Sequence, residues 1–517
     1  MRLDTLKLFK IIPFAAGLLV FILYATRVIH FYSGSTQYLI GVIPDDAFYY
    51  IQMAKHRVSD GFWTFDGTRP TTGFHFLFGY LLFAIFSIFT DCDLRGIFIF
   101  IGLSASISIG ASAFFVCQTA SDLFDDKIAL AAVLPFLTTI SVMQSTAMME
   151  SWLVLFFSAL TIFVVAKEKQ PTTYGSIGLF LVGCLGSLAR TDYGMLPGIL
   201  FITTFILQGM KAGPVLSRSF IVLAGAVIGV SIVFAQNYLI SGQIAQSSAL
   251  TKFYWSSING HNSSVPVTLI RSIIFPSSGK FDKLEEISLG IALLYALAIT
   301  LRLQLQSKLK IISATLFLGC LFTVLGYILF YRHNSAALQT WYSSNLIAPI
   351  AICMAAISYF ALKNRSAAFI LSVFGSIFYF HISSMSLFYI PWPHQAGMMQ
   401  AGAFLKKFDT NHSIAGWNVG IISYFSDKPV VNIDGLVNDD VFPFIKSNTL
   451  FDYFKSNDIV YLIDYDAMIN NKSLRLRGGY DDTRTIKCIT PIYRADAEHQ
   501  GWGDSKLMLF KVSLECL

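Results

Sequence analysis

Two adjacent carboxylates, Asp45 and Asp46, open the densest polar stretch of the chain, which runs from Ile43 to His56 as IPDDAFYYIQMAKH. Like charges this close push one pKa upward, and a carboxylate with a raised pKa suits a general base that must accept a proton. Asp is also a common helix cap, so a structural use after Pro44 stands beside the chemical one. The stretch continues as GFWTFDGTRPTTGFH from Gly61 to His75, which places Arg69 and His75 in the same loop as His56. Farther on, Glu150 lies in MMESW, and Arg190 and Asp192 lie in the turn LARTDY, each where one apolar run gives way to the next. A guanidinium matches phosphate oxygens in a bidentate manner, which makes Arg190 a candidate phosphate ligand. Charges at helix ends also mark membrane boundaries, and that reading applies to Glu150, Arg190 and Asp192 alike. Lys252, Tyr254, Trp255, His261 and Arg271 populate the loop 239–286, while Tyr331, Arg332, His333, Trp341 and Tyr342 populate 331–344. Cations mixed with Trp and Tyr fit either an interfacial aromatic belt or a pocket for sugar and phosphate.

The elements that must position these residues are membrane helices. Of 517 residues, 55% are hydrophobic and 13% charged, about half the charged share of an ordinary soluble domain, roughly 25%. The mean hydropathy is +0.61. Runs such as 97–116 and 311–330 are long enough to cross about 30 Å of hydrocarbon. A hydropathy window predicts eleven spans, near 11–29, 96–118, 128–144, 151–166, 174–189, 193–209, 217–238, 287–301, 311–331, 345–362 and 366–388. A twelfth apolar stretch, 74–90, is shorter. If it does not cross, the N-terminus and the short basic loops at Lys127, Lys167 with Lys169, Lys211 with Arg218, Arg302 with Lys308 and Lys310, and Lys363 with Arg365 all share the cytoplasmic side. The expectation is therefore that 74–90 lies in or against the outer leaflet. The N-terminus, with Arg2, Lys7 and Lys10 before an apolar stretch, reads as an uncleaved anchor rather than a signal peptide, because no small-residue cleavage motif follows.

This topology puts 30–95, 145–150, 190–192, 239–286, 332–344 and everything after about 390 outside the membrane on the extracytoplasmic face. The chain divides into 1–390, a membrane domain whose first outer loop is 30–95, and 391–517, an extracytoplasmic unit. From Pro391 on, the composition alternates between helix (396–408, 419–425, 450–455) and strand (413–417, 429–433, 459–464). That alternation predicts an α/β layer with a largely parallel sheet. The expected fold class is thus a polytopic α-helical membrane protein with a C-terminal α/β domain.

The net charge of +6 sits in short loops, which excludes a nucleic-acid partner as the explanation of the basic residues. Seven cysteines show no CxxC or Cys/His spacing that would hold zinc. Cys488 and Cys516 both fall in the polar tail and either pair, if it faces an oxidising compartment, or stay free. Asn262, Asn411 and Asn471 begin Asn-X-Ser triplets on the predicted outer side. The predicted spans carry almost no charge in their interiors, which weighs against an ion-coupled transporter. A transporter or channel remains the alternative to an enzyme.

The first loop, with Asp45-Asp46-Ala-Phe-Tyr-Tyr and the segment from Gly61 to His75, resembles bacterial members of the C-fold (GT-C) membrane glycosyltransferases. That superfamily includes protein O-mannosyltransferases, the aminoarabinose transferase of lipid A and mycobacterial arabinosyltransferases. The order of later features is similar as well: Met149-Glu150-Ser151, the Arg190 to Asp192 turn, Trp341-Tyr342, and a tail containing AGWNVGIISY from Ala415 and VNIDGLVN from Val431. The resemblance implies transfer of a sugar from a polyprenyl-phosphate donor to an acceptor glycan, lipid or protein outside the membrane, with inversion. It implies that one carboxylate at the start of the first outer loop is the base, Asp45 being favoured and Asp46 holding geometry or acceptor. Arg190, Lys252 and His333 would offset the phosphate charge. His56, Arg69, His75, Glu150, Asp192, Tyr254, Trp255, Trp341 and Tyr342 are the candidates for contact with acceptor or sugar. Relatives that need a divalent metal use further outer-loop acids, a role open to Glu150, but no ligand set is evident and no cofactor is assigned. The implied location is the bacterial plasma membrane, with a cytoplasmic N-terminus and a periplasmic tail.

Overall fold

Pro13 lies in the first turn of helix α1 (Ile12–Tyr32), where its missing N–H costs nothing, and the apolar run behind it carries the helix for 21 residues. The computed structural model describes residues 10–89, 93–209, 213–259, 264–275, 308–335, 338–362, 364–495 and 505–516. After α1 come α2 (Thr36–Val42), α3 (Asp45–Ser59), α4 (Phe76–Ile88), α5 (Leu94–Leu123), α6 (Ser151–Val165), α7 (Thr173–Ala189), α8 (Met195–Gln208) and α9 (Pro214–Ser241). They are followed by α10 (Ser247–Asn259), α11 (Ser264–Ile274), α12 (Lys308–Arg332), α13 (Ser344–Ala361) and α14 (Arg365–Ser386).

Among the described residues six helices are long and apolar enough to cross a membrane: α1, α5, α9, α12, α13 with its lead-in turn, and α14. The chain is therefore an integral membrane protein. The expected count of eleven is not reached on that criterion, for three reasons. The stretch 128–144 is not one rod but two short segments, Ala129–Leu137 and Thr139–Thr146, bent by 70°. Pro135 lies inside the first of them, and the hydroxyls of Thr138 and Ser141 donate to its carbonyl at 3.1 and 2.7 Å, satisfying a group that the break would otherwise strand. Helices α6, α7 and α8 form where expected but have 15, 17 and 14 residues, short of the roughly 20 that a perpendicular crossing needs. The span expected at 287–301 lies outside the described residues, as does Asn262. Helix α4 has 13 residues, about 20 Å of length, too short to cross.

Small residues bring the helices close. A Cβ on Gly183 of α7 would meet the Val222 carbonyl of α9 at 1.9 Å, and one on Gly225 would meet the Phe180 carbonyl at 2.0 Å, so only glycine permits this backbone approach. Arg27, fully buried at the end of α1, donates to the Thr146 hydroxyl at 3.0 Å and to the Leu387 and Tyr389 carbonyls at 2.8 and 3.0 Å. One guanidinium thereby ties the first helix, the bent segment and the end of α14 together.

The C-terminal part begins with α15 (Gln395–Lys407) and contains β1 (Ser413–Gly416), α16 (Gly420–Ser426), β2 (Val430–Asn432), β3 (Ile459–Tyr465), β4 (Ile489–Arg494) and β5 (Leu507–Val512). The sheet order is β2-β1-β3-β5-β4. The expected parallel half is present, with β1 parallel to both β2 and β3, but β5 pairs antiparallel with β3 and β4, so the sheet is mixed. Cys488 and Cys516 are disulfide-bonded across the open end of the β4–β5 pair. Asn471 spends its side chain as a helix cap, accepting the amides of Ser473 and Leu474. Most of the buried apolar residues form one connected cluster that runs from α1 into β5, so the sheet unit and the helices share a core, while Cys184, Leu188 and Val233 form a small separate one.

Candidate functional site

Pro44 decides where α3 starts. The residue before a proline is driven to extended backbone, and Ile43 ends α2 with φ −105° and ψ 119°, so Asp45 and Asp46 become the first residues of α3. Carboxylates in a first turn complement the positive end of the helix. The 3.6-residue period then sorts the next two side chains: Asp45 shares a face with Tyr49, and Asp46 shares the adjacent face with Tyr50.

The two faces have different neighbours. Asp45 is buried, and its oxygens accept the amides of Gly420 at 3.1 Å and Ile421 at 2.7 Å, at the start of α16, while its own amide donates to the Gln395 side chain at 2.9 Å. Burial first, and then the neighbouring Asp46 and Asp434, push the Asp45 carboxyl up to about 7 against those two amides, which pull it down. Tyr49 follows it to the sheet unit, donating to Asp434 Oδ2 at 2.8 Å and accepting the Val419 amide at 3.1 Å. Asp46 is half-buried and its carboxylate makes no hydrogen bond among the described residues. Burial raises its pKa, Lys252 opposes the rise and Glu150 adds to it.

Asp46 faces a cavity of about 170 Å³ whose polar wall includes His75, Glu150, Arg190, Asp192 and Lys252. Arg190 is the hub of that wall. It forks onto Asp192 at 3.0 and 2.9 Å, reaches Glu150 Oε1 at 3.1 Å and stacks 4.2 Å from the centre of the Tyr342 ring. Burial works against ionising Asp192, yet the Arg190 guanidinium holds its carboxyl down to about 2. Glu150 also accepts the Tyr50 hydroxyl at 3.2 Å and lies 3.4 Å from His75 Nε2. Burial lowers the His75 pKa, so the ring favours its neutral form. Lys252 Nζ donates to the Tyr342 hydroxyl at 2.8 Å and forms no ion pair among the described residues. Burial alone would discharge it, but Tyr342 and Asp46 hold the ammonium charged.

A second cavity, of about 160 Å³, lies against the first and shares Asp46, Lys252, Trp341 and Leu436 with it. Its other walls include Trp255, Trp392, Trp417 and Arg477. Asp46 and Lys252 therefore stand where two compartments meet.

The expected site residues divide on this geometry. Asp46, His75, Glu150, Arg190, Asp192, Lys252, Trp341 and Tyr342 come together at the first cavity, and Asp45 and Trp255 reach the second. His333 does not join them: it is exposed at the end of α12, while its neighbours Tyr331 and Asn334 line the wall. His56 pairs with Asp60 at 2.7 Å on the surface of α3. Arg69 is taken by Asp66 and by Asn457 of the sheet unit at 2.7 Å, and the Tyr254 hydroxyl donates to the Ile445 carbonyl at 3.3 Å, so both serve docking. Tyr49, Tyr50, Tyr331 and Arg477 were not among the expected site residues. The i, i+4 spacing from Asp45 and Asp46 was an available signal for the first two; for Arg477, in the last turn of the short helix Lys472–Gly478, no local signal existed.

Among the described residues no group of three or more His, Cys, Asp and Glu side chains is arranged to hold a metal ion. The carboxylates Glu150 and Asp192 are already engaged by Arg190. The donor set does not fit a divalent ion, and the cations of this site are Arg190 and Lys252.

Solved structures with a similar overall fold exist. The ArnT of Cupriavidus metallidurans, crystallised with undecaprenyl phosphate, superposes with a TM-score of 0.55 over 99% of this chain and 98% of its own, at 8% identity. The oligosaccharyltransferase AglB of Archaeoglobus fulgidus, in complex with an inhibitory peptide and a dolichol-phosphate, gives 0.56 over 96% of this chain and 76% of its own, at 11% identity. The chain has the GT-C fold. A family model described as a domain of unknown function (DUF8728) matches residues 390–506, which hold the sheet unit up to its last strand. No curated protein matches the chain by sequence.

Proposed function

We propose that the chain is a membrane glycosyltransferase that moves a sugar from a polyprenyl-phosphate donor to an acceptor hydroxyl on the extracytoplasmic face. The observation that carries the reading is the position of Asp46, an uncommitted carboxylate at the junction of two cavities, beside a lysine held charged. Asp46, rather than Asp45, takes the acceptor proton. The acceptor oxygen then attacks the anomeric carbon from the side opposite the phosphate. The bond between that carbon and the phosphate oxygen breaks, and the polyprenyl phosphate leaves with the electron pair, which inverts the centre. Lys252 meets the charge that develops on the phosphate, and Arg190, steadied by Glu150 and Asp192, shapes the wall behind it. Asp45 acts as a positioning residue that holds α3 to α16.

The Cys488–Cys516 disulfide supports placing the sheet unit in an oxidising compartment, and the basic loops support a cytoplasmic N-terminus. The fold likeness to ArnT and AglB supports a lipid-phosphate carrier. The test is complementation: envelope glycans and lipids from a deletion strain are compared by mass spectrometry with those of the strain carrying wild type or Asp46→Asn. One sugar modification should vanish on deletion, return with wild type and stay absent with an Asp46→Asn protein present at normal levels. Full restoration by the Asp45→Asn, Asp46→Asn double variant would overturn the reading. Substrate flux that persists without any lipid donor would favour a transporter.

A further inference from the structure

Four of the seven tryptophans in the chain, Trp255, Trp341, Trp392 and Trp417, wall the second cavity, and they come from four separate segments. Trp255 and Trp417 are 3% and 2% exposed, with ring centres 4.9 Å apart. Neither indole N–H has a hydrogen-bond partner among the described residues. Arg477 lies over both rings, its guanidinium carbon 4.2 Å from the Trp255 centre and 5.1 Å from the Trp417 centre. It forms no hydrogen bond or ion pair among the described residues, and its buried Nε also lacks a partner. Buried polar groups are nearly always satisfied, so a guanidinium without a partner on a cavity wall asks for something that brings acceptors. Asp45 and Asp46 line the same cavity, but the amides of Gly420 and Ile421 take Asp45 and Lys252 stands by Asp46, so neither carboxylate pairs with Arg477. The occupant these groups fit is therefore negatively charged. The aromatic planes add a second requirement. A pyranose ring has an apolar C–H face that packs on indole and an oxygen-rich edge that accepts hydrogen bonds, whereas an extended peptide offers no such face.

We infer that the cavity bounded by Trp255, Trp341, Trp417 and Arg477 is the acceptor site and takes a sugar ring that carries a carboxylate or a phosphate. The inference rests on the transferase reading for the word acceptor. Its chemistry rests on this cavity alone. With the anionic group on Arg477 and the ring face against the indoles, a free hydroxyl of the same ring points toward Asp46 at the shared wall. Donor and acceptor would then occupy separate compartments.

The test measures binding, not transfer, on the full chain in lipid nanodiscs by isothermal titration calorimetry. The probes are trigalacturonate, mannose 6-phosphate, neutral maltotriose and an acidic hexapeptide, with undecaprenyl phosphate titrated separately as a report on the other cavity. At least one acidic sugar should bind tenfold or more tighter than maltotriose or the peptide, and the choice between the two acidic probes tells carboxylate from phosphate. Arg477→Gln should weaken that probe by about ten- to a hundredfold, as loss of a charge-assisted bond does, and leave undecaprenyl phosphate binding unchanged. Trp417→Phe reduces the aromatic wall and should weaken the probe several-fold, which covers the case of an Arg477→Gln protein that does not fold. Equal binding of maltotriose, equal binding of the peptide, or no binding of either acidic sugar would sink the inference. Acidic-sugar binding without any undecaprenyl phosphate binding would count against the transferase reading and leave the site standing.

Discussion

The carboxylate of Asp45 accepts the backbone amide of Ile421 at 2.7 Å, joining residues 376 positions apart. With the Gly420 amide at 3.1 Å it fastens helix α3 to the start of α16 in the sheet unit. A Cβ on Gly420 would meet the Asp45 carbonyl at 2.4 Å, so the contact has no slack. Removing the carboxylate strands two buried amides, each at a cost of about 1–3 kcal/mol. Asp45→Ala should therefore lower the thermal midpoint and speed proteolysis between α14 and α15. An unchanged midpoint and digestion pattern would show that the seam is held elsewhere.

The pH dependence of turnover should report Asp46. Its pKa is raised, chiefly by burial, and the ionised form is the one that accepts a proton. Activity should therefore fall on the acid side, starting above the ordinary carboxylate range, and Asp46→Asn should remove about a hundred- to ten-thousandfold of the rate. The expected signature is a loss in kcat with little change in donor KM. A larger effect from Asp45→Asn than from Asp46→Asn on kcat would reverse the assignment of the two aspartates.

Stability should move with pH in the direction opposite to that of a salt-bridged protein. Burial raises Asp45 to about 7, Asp434 to about 6 and Asp464 to about 8, all above their unfolded value near 4. The folded chain binds more protons than the unfolded one, so this contribution is fully present below about pH 4 and is lost as pH rises through 6 to 8. Asp464 accepts the Tyr480 hydroxyl at 2.5 Å and the Tyr465 amide at 2.8 Å inside the sheet unit and itself lines neither cavity. Asp464→Asn should raise the thermal midpoint at pH 9 and change it little at pH 5. A wild-type midpoint that climbs from pH 5 to pH 9 would contradict the sign.

The Cys488–Cys516 bond closes a loop with a sequence separation of 28. Crosslinks of that size stabilise by about 2–4 kcal/mol, largely through the unfolded chain. Reduction, or Cys488→Ser with Cys516→Ser, should lower the midpoint of the sheet unit and make β5 exchange amide hydrogens faster, while α1 and α5 keep their protection. Equal exchange in both forms would mean that the strand pairing carries the edge unaided.

Much of this architecture is written locally. A hydropathy window finds α1, α5, α9, α12, α13 and α14 because transfer to hydrocarbon depends on composition over about 20 residues. The α/β alternation after Pro391 is readable because strand and helix periods differ within a few residues, and Pro44 alone explains why α3 begins with its aspartates. The bend at 129–146 was missed although its signal is local, Pro135 inside the run with the Thr138 and Ser141 hydroxyls three and six residues on, because a hydropathy window reads only composition. The antiparallel β4–β5 edge was not legible, because pairing partners are a long-range choice.

The sequence by itself determined that a pair of carboxylates would stand at a helix start beside the membrane, and that Glu150, Arg190, Asp192 and Lys252 were candidates to face them. Only the tertiary structure decided which carboxylate is committed and which is available. That difference depends on whether the amides of Gly420 and Ile421, nearly the whole chain away, lie within hydrogen-bond reach of one aspartate or the other. It also decided that His333 stands apart and that Arg477 lines the second cavity, because burial and partnership are properties of packed surfaces that no local window contains.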